Sequence, residues 1–192
     1  MLLTLKAIFE IRRAWNIATY EHRAESEKKW NPPPLNSYKT NFDGAMFNES
    51  NEAGIGVVIR NCKGEIMVAL SEKIQKPQSV VALEMLAARR AVLFARECGI
   101  QQSSFKGDSE FVINSLRHGE LLHSSIGYLL KDTMSYASSL QSFSFSHVSR
   151  QGNYVAHALA KREKLSFSIV VWMEFVPPYI NSFVMLDILS IE

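Results

Sequence analysis

Three carboxylic acids stand in segments of this sequence that are otherwise apolar. Asp43 lies within the strand-like run NFDGAMF, Glu84 within the apolar run VALEML, and Asp108 where a further strand-like segment ends. A carboxylate is costly to bury unless a partner accompanies it. If the fold brings the three acids together, they repel each other, and a divalent cation removes that penalty. Because hard oxygen ligands with room for water suit Mg²⁺ or Mn²⁺, the pattern predicts a divalent metal site.

Each acid also has a plainer interpretation. Asp43 precedes a glycine and could be a turn residue, Glu84 could lie on a solvent-facing stripe of a helix, and Asp108 could only cap a helix. The three acids are far apart along the chain. Only the tertiary fold can bring them together, and the order of the elements that carry them is the stronger argument.

The elements that must position these acids are predicted from hydrophobic periodicity and turn residues. Strands at 38–47, 53–60 and 65–74 follow one another through short connections and form an antiparallel meander. A buried helix at 79–98 comes next. The remaining elements are a strand at 102–107, a short helix opened by Asp108 or Ser109, a helix near 125–139, a strand at 141–149 and a helix at 152–164. This order predicts an α/β fold with a five-stranded mixed sheet and helices on both faces.

A proline-rich stretch divides the chain. NPPPLN at 31–36 ends any preceding helix because proline lacks the backbone N–H. We therefore predict a helical extension and linker at 1–36, one α/β domain at 37–164 and a C-terminal extension at 165–192, which two consecutive prolines interrupt.

Composition narrows the class of protein without fixing a partner. The 192 residues are 47% apolar and 21% charged, as in soluble globular proteins, and the net charge of +2 permits a nucleic-acid partner without requiring one. Cys62 and Cys98 form no CxxC pair, which argues against a zinc site or disulfide framework and fits a reducing compartment. The sequence lacks a membrane-length apolar run and a secretory-signal layout, and its early glutamates argue against a transit peptide. We expect an intracellular protein of cytoplasm or nucleus, with the oligomeric state left open.

Four segments in fixed order resemble a known family. They are YKTNFDGAMFNESNEAGIGVVIRNCKGE, ALEMLAARRAV, FKGDSEFVINSL and FSHVSRQGNYVAHALAK, and the match runs from about 38 to 163. Together they resemble the ribonuclease H domain, in the form common in plant proteins related to retroelement reverse transcriptases. The resemblance implies endonucleolytic hydrolysis of the RNA strand of an RNA–DNA hybrid with two Mg²⁺ or Mn²⁺ ions.

The resemblance also implies roles for individual residues. Asp43 would ligate both ions, while Glu84 and Asp108 would each ligate one. The backbone at Gly44 and Ala45 would approach the RNA closely, where 2′-hydroxyls distinguish RNA from DNA. Candidate phosphate contacts are the basic residues Arg89, Arg90 and Arg150.

The sequence departs from the family pattern at three places: the last acid, the stretch before the helix glutamate, and the short loop VSRQGN, which has no match for the family's mobile histidine. His157, in NYVAHALA, stands where the family pattern N-x-x-A-D-x-L-A has its last acid. It is a candidate metal ligand, because imidazole can bind a divalent ion, or else a plain helix residue. Val80 and Val81 stand where hybrid-cleaving cellular members carry Asn and Gln.

Two functions therefore stay open. The first is a metal-dependent nuclease, and the second is a nucleic-acid-binding module with the same fold and little or no activity. A weaker third is a retroelement-derived remnant used for protein contacts, or a fragment of a longer protein.

Overall fold

The sheet begins with the meander that the sequence predicts. A computed structural model describes residues 30–119, 126–162 and 168–189, so the predicted helical extension at 1–29 lies outside the described residues. Strands Tyr38–Phe47 (β1), Glu52–Arg60 (β2) and Ile66–Gln75 (β3) pair antiparallel in chain order. Asn51 and Gly64 adopt positive φ angles of 53° and 80° in the two connections, which lets the chain reverse tightly.

The second half of the sheet is built from helix–strand units. These are helix Val80–Glu97 (α1), strand Gln102–Gly107 (β4), helices Glu110–His118 (α2) and Gly127–Ala137 (α3), strand Ser142–His147 (β5), a 3-10 turn at Arg150–Asn153 and helix Tyr154–Ala160 (α4). Helix α1 begins where the Ser79 side chain accepts from the backbone N–H of Ala82. Strand β4 pairs parallel with β1 on one side and with β5 on the other. The mixed sheet and the element order are confirmed.

The prediction of five strands is wrong, because six strands form the sheet within the described part of the chain. Strand Ile169–Met173 (β6) pairs antiparallel with β3, and the strand order is β5-β4-β1-β2-β3-β6. The segment IVVWM shows no polar–apolar alternation, and its exposed positions are themselves apolar, so the periodicity gave no strand signal. The following prolines do not interrupt the structure. Pro178 instead occupies the first position of helix Pro178–Leu189 (α5), where no backbone N–H is needed.

Helices cover both faces of the sheet, as predicted. Helices α1, α2 and α3 pack on one face over a core that includes Phe42, Val57 and Leu70. Helix α4, with α5 packed on it, covers the other face, where the core includes Val58 and Ala69 of the sheet. Residues 57 and 58 thus point to opposite layers, as the period of a strand requires.

Residues from both predicted flanks pack against the domain. Trp30 is 2% exposed and lies 4.5 Å from the guanidinium of Arg60, which in turn pairs at 2.7 Å with Asp187 on α5. The boundaries at 36 and 164 stay a prediction. Within the described residues, the helices are too short or too polar to cross a membrane.

Candidate active site

Parallel pairing of β1 with β4 brings the first two acids together. The register joins Asn41 to Lys106, and continuing it by two residues places Asp43 beside Asp108, just past the end of β4. Asp108 does not cap α2, because the Ser109 side chain accepts from the Val112 backbone N–H instead. The plainer interpretation of Asp108 as a helix cap is therefore excluded.

Helix α1 carries the third acid to the same place because it approaches β1 closely. A Cβ added at Gly44 would lie 2.6 Å from Leu83 Cγ, so only glycine permits this approach. Glu84 follows Leu83 on the helix, and the Gly44 backbone N–H is near enough to its carboxylate to oppose part of the rise in its pKa. Glu84 is 6% exposed, which excludes a solvent-facing stripe.

The three carboxylates form one buried cluster. One carboxylate oxygen from each of Asp43, Glu84 and Asp108 lies within 4.8 Å of the others. Burial, followed by repulsion from Asp43 and Asp108, raises the pKa of Glu84 to about 9, and burial and Asp43 raise the pKa of Asp108. The Glu84 Oε2 atom is buried without a hydrogen-bond partner among the described residues. Three converging carboxylates, one of them with an unpartnered buried oxygen, supply the hard oxygen ligands that Mg²⁺ or Mn²⁺ prefers, so the residues fit a divalent cation.

The cluster has a basic side that the three acids alone do not reveal. Helix α4 packs directly on β2 because Gly56 has no side chain, and a Cβ there would lie 2.2 Å from the Ala156 carbonyl oxygen. On α4, His157 Nδ1 lies 2.5 Å from Asp43 Oδ2. Arg150 Nη2 lies 3.4 Å from both nitrogens of the His157 ring. His157 is therefore part of the cluster and not a plain helix residue.

The comparison with known families agrees with this geometry. Residues 41–163 match the profile of the family described as "Reverse transcriptase-like". This chain belongs to the reverse transcriptase-like, ribonuclease H-like family. No curated protein sequence matches it significantly.

Solved structures share the fold of this ribonuclease H-like domain. Ribonuclease H1 from the halophilic archaeon Halobacterium salinarum is 24% identical, with a TM-score of 0.59 over 65% of this chain and 94% of that chain. The N-terminal ribonuclease H domain of a Mycobacterium tuberculosis protein is 18% identical, with a TM-score of 0.58 over 65% and 90%. A ribonuclease H1 from compost, solved with an RNA/DNA hybrid, is 21% identical, with a TM-score of 0.57 over 64% and 93%.

One positioning residue of this ribonuclease H-like domain was missed by the sequence analysis. Asn153 is fully buried, and its amide Nδ2 donates to the Phe42 carbonyl at 2.9 Å. Its Oδ1 accepts from Asn41 Nδ2 at 3.0 Å. These contacts fix the start of α4 to Asn41 and Phe42, the two β1 residues that precede Asp43. The first letter of the pattern N-x-x-A was the available signal.

The other predicted contact residues differ in how they lie. Ala45 is buried in β1 and Gly44 is partly exposed. Arg150 is exposed beside the acids and acts electrostatically on Glu84 and Asp108.

Arg89 and Arg90 are engaged elsewhere on α1. The Arg89 Nε atom lies 3.3 Å from Asp132 Oδ2 on α3. Arg90 pairs with Glu72 at 2.6 Å and with Glu97 at 3.0 Å. The structure does not bring these two arginines to the cluster, and their contact with nucleic acid stays a prediction.

Proposed function

We propose that this domain hydrolyses the RNA strand of RNA–DNA hybrids in a reaction that requires a divalent cation. The observation that carries the proposal is the convergence of Asp43, Glu84 and Asp108 within 4.8 Å, with a buried Glu84 oxygen that has no partner among the described residues. The fold shared with ribonucleases H supports it, and one of those proteins was solved with an RNA/DNA hybrid.

The three acids would hold Mg²⁺ or Mn²⁺ through carboxylate oxygens. When bound, the cation activates a water molecule and stabilises charge on the leaving oxygen of the phosphodiester. The Gly44 N–H lies near the Glu84 carboxylate and favours its charged form, and burial of Asp43 limits competition from bulk water. Because Glu84 has a raised pKa, its proton must leave before the carboxylate can bind a cation.

The chain also supplies groups that suit a nucleic-acid backbone. The partly exposed Gly44 lets a sugar–phosphate chain approach the acids. Arg150 places a permanent positive charge beside the cluster, where it offsets repulsion between phosphate and carboxylates. Both features concern the backbone of the substrate and not its base sequence, which suits recognition of a hybrid by shape and 2′-hydroxyls.

A second function has its own support. His157 already contacts Asp43, and the apolar Val80 is 62% exposed at the start of α1, where a polar contact to a hybrid would be expected from the resemblance. Both observations favour a nucleic-acid-binding module with the ribonuclease H fold and little or no activity.

Cleavage of an end-labelled RNA–DNA hybrid separates the two functions. The full chain is assayed with Mg²⁺, with Mn²⁺ and with EDTA, beside Asp43→Asn. The matched control is Asp132→Asn, which removes the same charge from the surface of α3. We expect EDTA to abolish cleavage and Asp43→Asn to lower it by several orders of magnitude, since a neutral amide cannot replace the anionic ligand.

Each other result has a definite meaning. Cleavage that survives EDTA would exclude the metal-dependent mechanism. Equal losses in Asp43→Asn and Asp132→Asn would point to a folding defect and remove the site argument. A wild type that binds the hybrid tightly and cuts it with neither metal would establish the binding module.

A further inference from the structure

We propose that this site binds one divalent cation and not two, because His157 and Arg150 occupy the place of the second. The inference rests on the proposed function, which requires a cation at Asp43, Glu84 and Asp108, and concerns how many ions those residues hold. Its basis is the set of contacts that the acids already make.

Asp43 has only one carboxylate oxygen left to share. A carboxylate that bridges two ions commonly presents one oxygen to each, and ligation of both ions is the role that the family resemblance assigns to Asp43. In the structure, Asp43 Oδ2 lies 2.5 Å from His157 Nδ1. Both side chains are largely buried, with 2% of the Asp43 side chain and 12% of the His157 side chain exposed, so water does not compete strongly for this contact.

His157 is placed as a hydrogen-bond donor and not as a metal ligand. The short contact to Asp43 uses a proton on Nδ1, so only Nε2 could bind an ion. Arg150 Nη2 lies 3.4 Å from both ring nitrogens, so its positive charge stands next to Nε2. The imidazole therefore donates to Asp43, and a cation at Nε2 would be repelled by the guanidinium.

Arg150 adds a charge that opposes a second cation. A guanidinium remains protonated at any ordinary pH. Its charge acts on both Glu84 and Asp108, whose pKa values burial and the neighbouring acids raise and the guanidinium partly lowers. Because like charges repel, a second divalent ion next to His157 would face this guanidinium at close range.

The first ion position is left intact by these contacts. Glu84 Oε2 is buried without a partner among the described residues. Because Glu84 is only 6% exposed, an unpaired carboxylate oxygen is costly there, and a bound cation would remove that cost. The converging oxygens of Glu84, Asp108 and Asp43, which lie within 4.8 Å of one another, remain for one cation. The acid that the resemblance places at 157 would have added the anion that a second ion needs.

Calorimetric titration of the full chain with Mn²⁺ alone tests the count directly. We expect one ion per wild-type chain and two per chain of His157→Asp, which replaces a donor by an anionic oxygen ligand. The matched control is His118→Asp, which makes the same change on the exposed end of α2 and should bind one. Two ions per wild-type chain, or none, would overturn the proposal, as would one ion in His157→Asp.

A second measurement uses only the wild-type chain, so it does not depend on whether a variant folds. The ¹⁵N shifts of the His157 ring in wild type report which nitrogen carries the proton. Saturation with diamagnetic Mg²⁺ should leave the proton on Nδ1, and a shift typical of metal-bound nitrogen would overturn the proposal. A chain that binds one ion with an unchanged His157 ring, yet never cleaves a hybrid, would refute the proposed function and leave this inference standing.

Discussion

Replacing Glu84 by Gln should make the metal-free protein more stable at neutral pH. The folded chain holds a proton on Glu84 because burial and the neighbouring acids raise its pKa from 4.5 to about 9. The unfolded chain releases that proton above its ordinary pKa. The free energy of unfolding that depends on Glu84 is therefore at its full value below about pH 4.5 and falls as the pH rises toward 9. Glutamine keeps an oxygen near the Gly44 N–H and has no proton to lose.

The size of the effect follows from the width of this window. Each pH unit within it changes the free energy of unfolding by ~1.4 kcal/mol. Between about pH 5 and about pH 7, the wild type should thus lose about 3 kcal/mol relative to Glu84→Gln. The comparison is made between the two proteins at each pH, because the buried groups Lys39 and Asp187 also have shifted pKa values and contribute to both.

Urea unfolding followed by far-UV circular dichroism in EDTA measures this difference. The matched control is Glu49→Gln, which removes an exposed carboxylate from the turn after β1. Excess Mg²⁺ should restore the wild type, since the cation stabilises the ionised acid. A free-energy difference that stays constant between about pH 5 and about pH 7, or that shrinks as the pH rises, would show that Glu84 is not held in its protonated form.

Two further substitutions test how the site is positioned and what it contacts. Gly56→Ala puts a Cβ 2.2 Å from the Ala156 carbonyl oxygen, so α4 must move. We expect the free energy of unfolding in urea to fall by about 3 kcal/mol and Mn²⁺ binding to weaken. An unchanged stability would mean that α4 does not approach β2 so closely. Arg150→Ala should weaken hybrid binding and reduce the slope of log affinity against log salt by about one. The control Arg90→Ala removes an arginine that pairs with Glu72 and Glu97, and it should leave the slope unchanged. Equal slopes for wild type and Arg150→Ala would show that Arg150 does not contact the nucleic acid.

The sequence by itself was enough for the element order between residues 38 and 160 and for the choice of the three acids that converge in the structure. Short connections between apolar alternating runs predicted the meander, and α1 followed from its capping serine and apolar length. Asp43 and Glu84 stood out because a charge within an apolar run needs a partner, and that argument depends only on local composition. Strand β6 escaped prediction because an edge strand with apolar side chains on its exposed positions has no alternation to detect.

The relation between His157 and the acids was decided only by the tertiary structure. From the sequence, His157 was a metal ligand or a plain helix residue, and nothing local distinguishes the two. The answer depends on the closeness of α4 to β2, which Gly56 permits, and on the anchoring of α4 by Asn153. Those distances set whether the ring meets Asp43 or solvent. Hydrogen bonds between residues more than 100 positions apart leave no periodic trace in a sequence, because their partners are chosen by packing rather than by spacing.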